Sequence, residues 1–166
     1  RIVNLKNIIS QHASAKKKLL LFVGHIPKLY LNPLRFNIWY NLKMMQDSNI
    51  TIHSHTIKEH LQYENMRSNK FKQYRSVNFT NVKYFLQREK CTFLDISSYS
   101  ALLFNHKFVI VSRGDFKSTS KISESILYFA KGAAVPIFIV PDFYENMFPY
   151  ADQVNYSRIG FVVHET

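Results

Sequence analysis

An α/β domain built on a mostly parallel sheet is predicted by three features of the chain. Apolar runs at 19–23, 107–111 (after its leading Lys107) and 134–140 have the composition of strands buried on both faces. Segments with apolar residues at helical spacing lie between them. Polar loops bearing glycine, proline or hydroxyl side chains follow the strands, and this alternation implies right-handed crossovers between parallel strands. The fold class is therefore Rossmann-like, a mostly parallel sheet with flanking helices.

Taken in order, Ile2, Leu5, Ile8, Ile9 and Ala13 carry a helical period. The triplet Lys16, Lys17 and Lys18 reads as a solvated approach to the strand at 19–23, and Gly24 permits a tight exit from it. His25 and the tract to Pro33 then form a loop at the strand's carboxyl end, the edge where ligands bind in open α/β sheets. An amphipathic helix is expected over 35–45, with Phe36, Trp39, Tyr40 and Leu42 available for packing and Trp39 in the core. A short strand fits 49–53. Residues 55–79 are polar, basic and dotted with tyrosine, which reads as a variable surface insertion at about 54–80. Val82, Phe85 and Leu86 mark a helix, residues 92–94 a brief strand, and Tyr99, Leu102, Leu103 and Phe104 one face of a further helix. A last strand fits 161–163.

Between the strand at 107–111 and the helical pattern of Ile122, Ile126, Phe129 and Ala130 lies a polar loop. It holds Arg113, Gly114, Asp115, Ser118, Thr119, Ser120 and Lys121, with Glu124 one turn further on. Any of the three hydroxyls can cap the helix. A helix start with spare N–H donors, hydroxyls and two cations, Arg113 and Lys121, also suits an anionic phosphate. The residues alone leave both readings open: a diphosphate site, or a capped turn with an incidental Arg-Asp pair.

A family resemblance bears on that choice. In order along the chain stand Lys107-Phe-Val-Ile-Val-Ser-Arg-Gly-Asp115, Ser118-Thr-Ser-Lys121 with Glu124, Gly132-Ala-Ala-Val-Pro-Ile-Phe-Ile-Val140, Asp142-Phe-Tyr144, Phe148-Pro-Tyr150, Val154-Asn-Tyr-Ser157 and Phe161-Val-Val-His-Glu165. This series resembles the exostosin family of glycosyltransferases (glycosyltransferase family 47), and Lys18-Leu-Leu-Leu-Phe-Val-Gly24 with Arg35 resembles its upstream strand and helix opening. The order of about six motifs carries the resemblance, which is fullest from Phe108 to Glu165. Three departures stand out: Ser112 replaces the family's proline, Ala133 replaces its cysteine, and four extra residues separate Gly114 from Pro136. Counted from Gly114 the family's acidic position falls on Glu124; counted back from Pro136 it falls on Tyr128. An insertion of four residues adds about one helical turn and keeps the face, and Glu124 is the favoured match.

The resemblance implies that residues 1–166 are one nucleotide-sugar-binding α/β domain, the C-terminal half of a two-domain GT-B enzyme that inverts the anomeric centre. It implies a donor, a UDP-sugar by preference, held by Arg113, Gly114, Asp115, Ser118, Thr119, Ser120, Lys121 and Glu124. Arg113 would stabilise the leaving diphosphate and Glu124 would hold ribose hydroxyls. Gly24, His25 and Asp142 are weaker candidates. The general base is expected from an opposing N-terminal domain, and the protein from a Golgi membrane anchor with this part luminal. Partners would be a glycan or glycoprotein acceptor and a homologous transferase subunit, without nucleic acid. No metal and no other cofactor is expected, because these side chains can neutralise the diphosphate and no acidic metal motif is present.

Composition agrees with one ordinary domain. Its 166 residues suffice to bury a core, and 46% hydrophobic content argues against disorder. Cys91 is the single cysteine, so no internal disulfide forms, and it reads as a small buried hydrophobe. The sequons at Asn49, Asn78 and Asn155 permit a luminal setting. His53, His55 and His60 lack completing ligands and read as a solvated cluster. The first hundred residues hold 16 Lys/Arg against 5 Asp/Glu, whereas the rest hold 6 of each, so the net charge of +11 sits wholly in the first part. Such a basic part implies an anionic neighbour. Two other readings follow: a transferase-like subunit without chemistry, and a module that binds acidic polymers.

Overall fold

The computed structural model describes residues 18–25, 33–55, 94–112, 120–140 and 148–164. In chain order its elements are β1 (Lys18–His25), α1 (Pro33–Met45), β2 (Ile50–His55), α2 (Ile96–Asn105), β3 (His106–Ser112), α3 (Ser120–Ala130), β4 (Val135–Val140), a 3₁₀ turn (Tyr156–Arg158) and β5 (Phe161–His164). The five strands form one sheet in the order β2-β1-β3-β4-β5, every pair parallel. The α/β, Rossmann-like class predicted from sequence is the fold observed.

Alternation along the strands divides the core between the two faces. Leu21, Val109, Val111, Phe138 and Val140 pack in one cluster with Tyr99 and Leu103 of α2 and Ile122 of α3. Phe22, the next residue on β1, is equally buried but outside that cluster, and α1 supplies buried Phe36, Trp39, Tyr40 and Leu42 against β1 and β2. Phe36 stacks parallel to Tyr40 and tilts against Trp39, with ring centres 6.2 and 5.6 Å apart. Each such side chain contributes roughly 1.5–3 kcal/mol by leaving water.

Local chemistry sets the ends of the two helices that matter for function. Asp95 caps α2: its carboxylate accepts the Ser98 backbone N–H at 2.6 Å, and that bond holds its carboxyl below the usual range. α3 stops at Gly132, whose φ of 84° is left-handed. There the N–H of Gly132 donates to Phe129 O and that of Ala133 to Tyr128 O, the paired bonds of a Schellman ending. The chain then enters β4 at once.

His106, at the start of β3, ties three elements together. It is 1% exposed. Its Nδ1 lies 2.6 Å from Leu102 O and its Nε2 2.7 Å from Thr51 Oγ1. A carbonyl only accepts, so Nδ1–H donates to Leu102 and Nε2 accepts the Thr51 hydroxyl, which requires the neutral ring. Burial, aided by the charge of Lys18, pushes its pKa below the ordinary 6.5 despite the Leu102 bond. A histidine with a depressed folded pKa binds its proton better when unfolded, so its contribution is complete above pH 6.5 and lost as pH falls through the folded value. Thermal unfolding from pH 7.5 to 5 should therefore show a decline in Tm that is shallower in His106→Gln; equal slopes would contradict this account.

Several sequence expectations shift. β1 does not leave the sheet at Gly24, because the ladder with β2 continues through Gly24↔Ser54 and His25↔His55. His25 is thus the last strand residue, not a loop residue. Leu94 runs as irregular chain into the Asp95 cap instead of ending a strand. Phe104 is exposed rather than buried with Tyr99 and Leu103, its ring meeting Tyr128 edge-on at 6.4 Å. The helices expected at 2–13 and around Val82, the insertion beyond His55, and Cys91 lie outside the described residues.

Candidate functional site

The strand order reverses at β1. From β1 the chain passes by α1 to β2 on one side, and from β2 it returns across β1 to β3 on the other. At such a reversal the connecting helices part to opposite faces and leave a crevice beyond the strands' carboxyl ends. A cavity of about 530 Å³ lies there. Val23, Gly24 and His25 of β1 line it together with His53 of β2; Leu94, Asp95, Ile96 and Tyr99 come from the start of α2; Lys121, Glu124, Leu127 and Tyr128 come from α3.

α3 reaches both core and cavity because its residues fall into adjacent stripes. Ile122, Ser125 and Phe129 are buried, whereas Lys121, Glu124 and Tyr128, spaced by three and four, form the stripe beside them and face the cavity. Lys121 Nζ is 3.0 Å from Glu124 Oε2 and 3.9 Å from the centre of the Tyr99 ring. The Tyr99 ring in turn meets Tyr128 edge-on at 6.3 Å. Burial first, and the Glu124 carboxylate second, push the Tyr99 phenol above its ordinary range. Ile96 and Leu127 are 81% and 57% exposed, so the lining joins exposed apolar groups to a compact set of charged and hydroxyl groups.

Of the residues singled out from sequence, the fold brings Gly24, His25, Lys121 and Glu124 to this one cavity. Ser120 is the first residue of α3. Arg113, Gly114, Asp115, Ser118, Thr119 and Asp142 lie outside the described residues. The two registers for the acidic position, Glu124 and Tyr128, are one turn apart and both line the cavity. Sequence reading missed Tyr99 as a site residue because its spacing with Leu103 is that of a core stripe. It also took His53 for solvated, whereas His53 is half-buried in the cavity wall. A tyrosine on a core stripe is the signal that was present: its hydroxyl needs a polar outlet, and a cavity edge provides one.

Among the described residues no group of three or more His, Cys, Asp or Glu side chains is gathered for a metal ion, and no described helix is long and apolar enough to cross a membrane. Compared with protein-family models, with curated proteins and with solved structures, the chain matches none.

Proposed function

We propose that this chain is the donor-binding domain of an exostosin-type inverting glycosyltransferase, holding a nucleotide sugar, a UDP-sugar by preference, at the β1 cavity and acting on a glycan acceptor in the Golgi lumen. The observation that carries the reading is the presence of Glu124 and Lys121 together on one wall of a cavity at the strand-order reversal. The volume lies within the several hundred Å³ usual for small-ligand sites. Exposed Ile96 and Leu127 offer apolar contact to a base, while Glu124 offers a carboxylate to ribose hydroxyls and Lys121 a cation to phosphate.

In this reading the residues from Arg113 to Thr119 join the end of β3 to the start of α3 and contact the diphosphate. Glycosyl transfer develops negative charge on the leaving diphosphate, and fixed donors in a site shielded from water stabilise it most. Arg113 and Lys121 fill that role. The family's motif order supports the same assignment, with Ser112, Ala133 and the four extra residues between Gly114 and Pro136 as its departures.

A thermal-shift titration of the purified chain with UDP, GDP and heparin tests it. At one hundred times Kd a ligand that binds only the folded state adds about 2.7 kcal/mol, a rise of roughly 5–10 °C for a domain of this size. The rise is expected with UDP, smaller with GDP, and lost in Arg113→Ala and Glu124→Ala. A folded chain that ignores both nucleotides would sink the proposal. A response to heparin alone, fading with salt and unchanged in Arg113→Ala, would identify a polyanion-binding module in its place.

A further inference from the structure

On the cavity wall Lys121 lies against both Glu124 and Tyr99. Its ammonium is 3.0 Å from the Glu124 carboxylate and 3.9 Å from the centre of the Tyr99 ring. Both members of the ion pair are more than a third exposed, so water screens the pair and little free energy holds it closed. A diphosphate offers the same ammonium more charge and more acceptor oxygens. Tyr99, by contrast, is fixed: it is 9% exposed, belongs to the core cluster and abuts Tyr128.

We propose that Lys121 is exchanged between Glu124 and the phosphate of a nucleoside diphosphate, moving over the face of Tyr99, so that the phosphate end of the ligand releases the carboxylate that binds its ribose. The inference rests on the donor-site reading above. Tyr99 acts as a positioning residue, because an ammonium on an aromatic face keeps a favourable contact while it changes anionic partner. A ligand without phosphate must compete with Lys121 for Glu124; a diphosphate removes that competitor. Phosphate and ribose recognition are therefore coupled, and the coupling is reciprocal. The site thereby discriminates against free nucleosides without any group dedicated to rejecting them.

Lys121→Met is the deciding variant, since it removes the charge from a partly exposed side chain and preserves its apolar stem. Calorimetric titrations of the full chain with UDP and with uridine should move in opposite directions. UDP binding is expected to weaken about tenfold, the loss of one charge-assisted hydrogen bond. Uridine binding should tighten by about two- to fivefold, as expected for release of a weak ion pair. Tyr99→Leu should weaken UDP with little change in uridine, and Tyr99→Phe, which retains the ring face, should restore it; the Lys121→Met result stands even if Tyr99→Leu does not fold. Uridine affinity that is unchanged or weaker in Lys121→Met, with UDP bound normally by the wild type, overturns the exchange and leaves the donor site intact. No UDP binding by the folded wild type overturns both.

Discussion

Phe138→Ala is expected to remove about 3–5 kcal/mol of stability, a fifth or more of the roughly 5–15 kcal/mol that a domain has in total. Phe138 is fully buried in β4 and meets two further rings edge-on, Phe148 at 5.2 Å and Tyr156 at 5.6 Å. Those two stack on each other at 4.0 Å, and the Tyr156 hydroxyl donates to Pro149 O at 2.7 Å. Phe138 is thus one anchor of the segment after β4, beside Ala151 and Val154, which also pack on the core, and alanine leaves a cavity between the sheet and the stacked pair. Phe138→Leu, which refills most of that volume, should lose about 1.5 kcal/mol or less. Denaturant unfolding monitored by circular dichroism gives both values. A loss under about 1 kcal/mol for alanine would mean that the ring cluster does not anchor the segment.

Much of the fold was legible because burial writes itself into composition. The runs at 19–23, 108–111 and 134–140 are apolar because β1, β3 and β4 are the inner strands of the sheet. α3 was legible through Ile122 and Phe129 at helical spacing, and α1 through Phe36, Trp39 and Tyr40. Strand order was not, since no residue states whether the chain after β1 turns left or right. That order is what brings the start of α2 to the end of β1, so Tyr99 and Asp95 could not be joined to Lys121 and Glu124 from spacing alone. His106 was equally silent: nothing beside one histidine ahead of an apolar run names its partners, and only the fold shows Thr51 and Leu102 on either side of its ring. That Lys121 and Glu124 share one wall was legible because cation and carboxylate stand three residues apart on one helix, where order in space follows order in sequence.

Gly160→Ala is expected to be nearly as damaging as Phe138→Ala, for a reason that lies in backbone contact. A methyl group built there stands 2.3 Å from the carbonyl oxygen of Pro136 and 2.8 Å from its Cγ. The first is main chain of an inner strand, so no rotamer change relieves the overlap; β4 and β5 must separate. The pairing between them begins at the next residue, Ile137↔Phe161, and Pro136 has no N–H with which to extend it. Proline ring and glycine therefore fit each other at the point where β5 joins the sheet. β5 is a four-residue edge strand with Phe161 and Val163 exposed, and its release is the least costly way to accommodate the methyl. It would also break the edge-on contact of Phe161 with Phe108, now 5.9 Å between centres. Gly160→Ala should consequently cost about 3 kcal/mol, in the upper part of the range for point substitutions. Hydrogen exchange should show protection lost first across 161–164 while β1 and β3 remain protected. Uniform loss along all five strands would place the strain elsewhere, and unchanged protection in β5 would mean that the methyl is accommodated without releasing the strand.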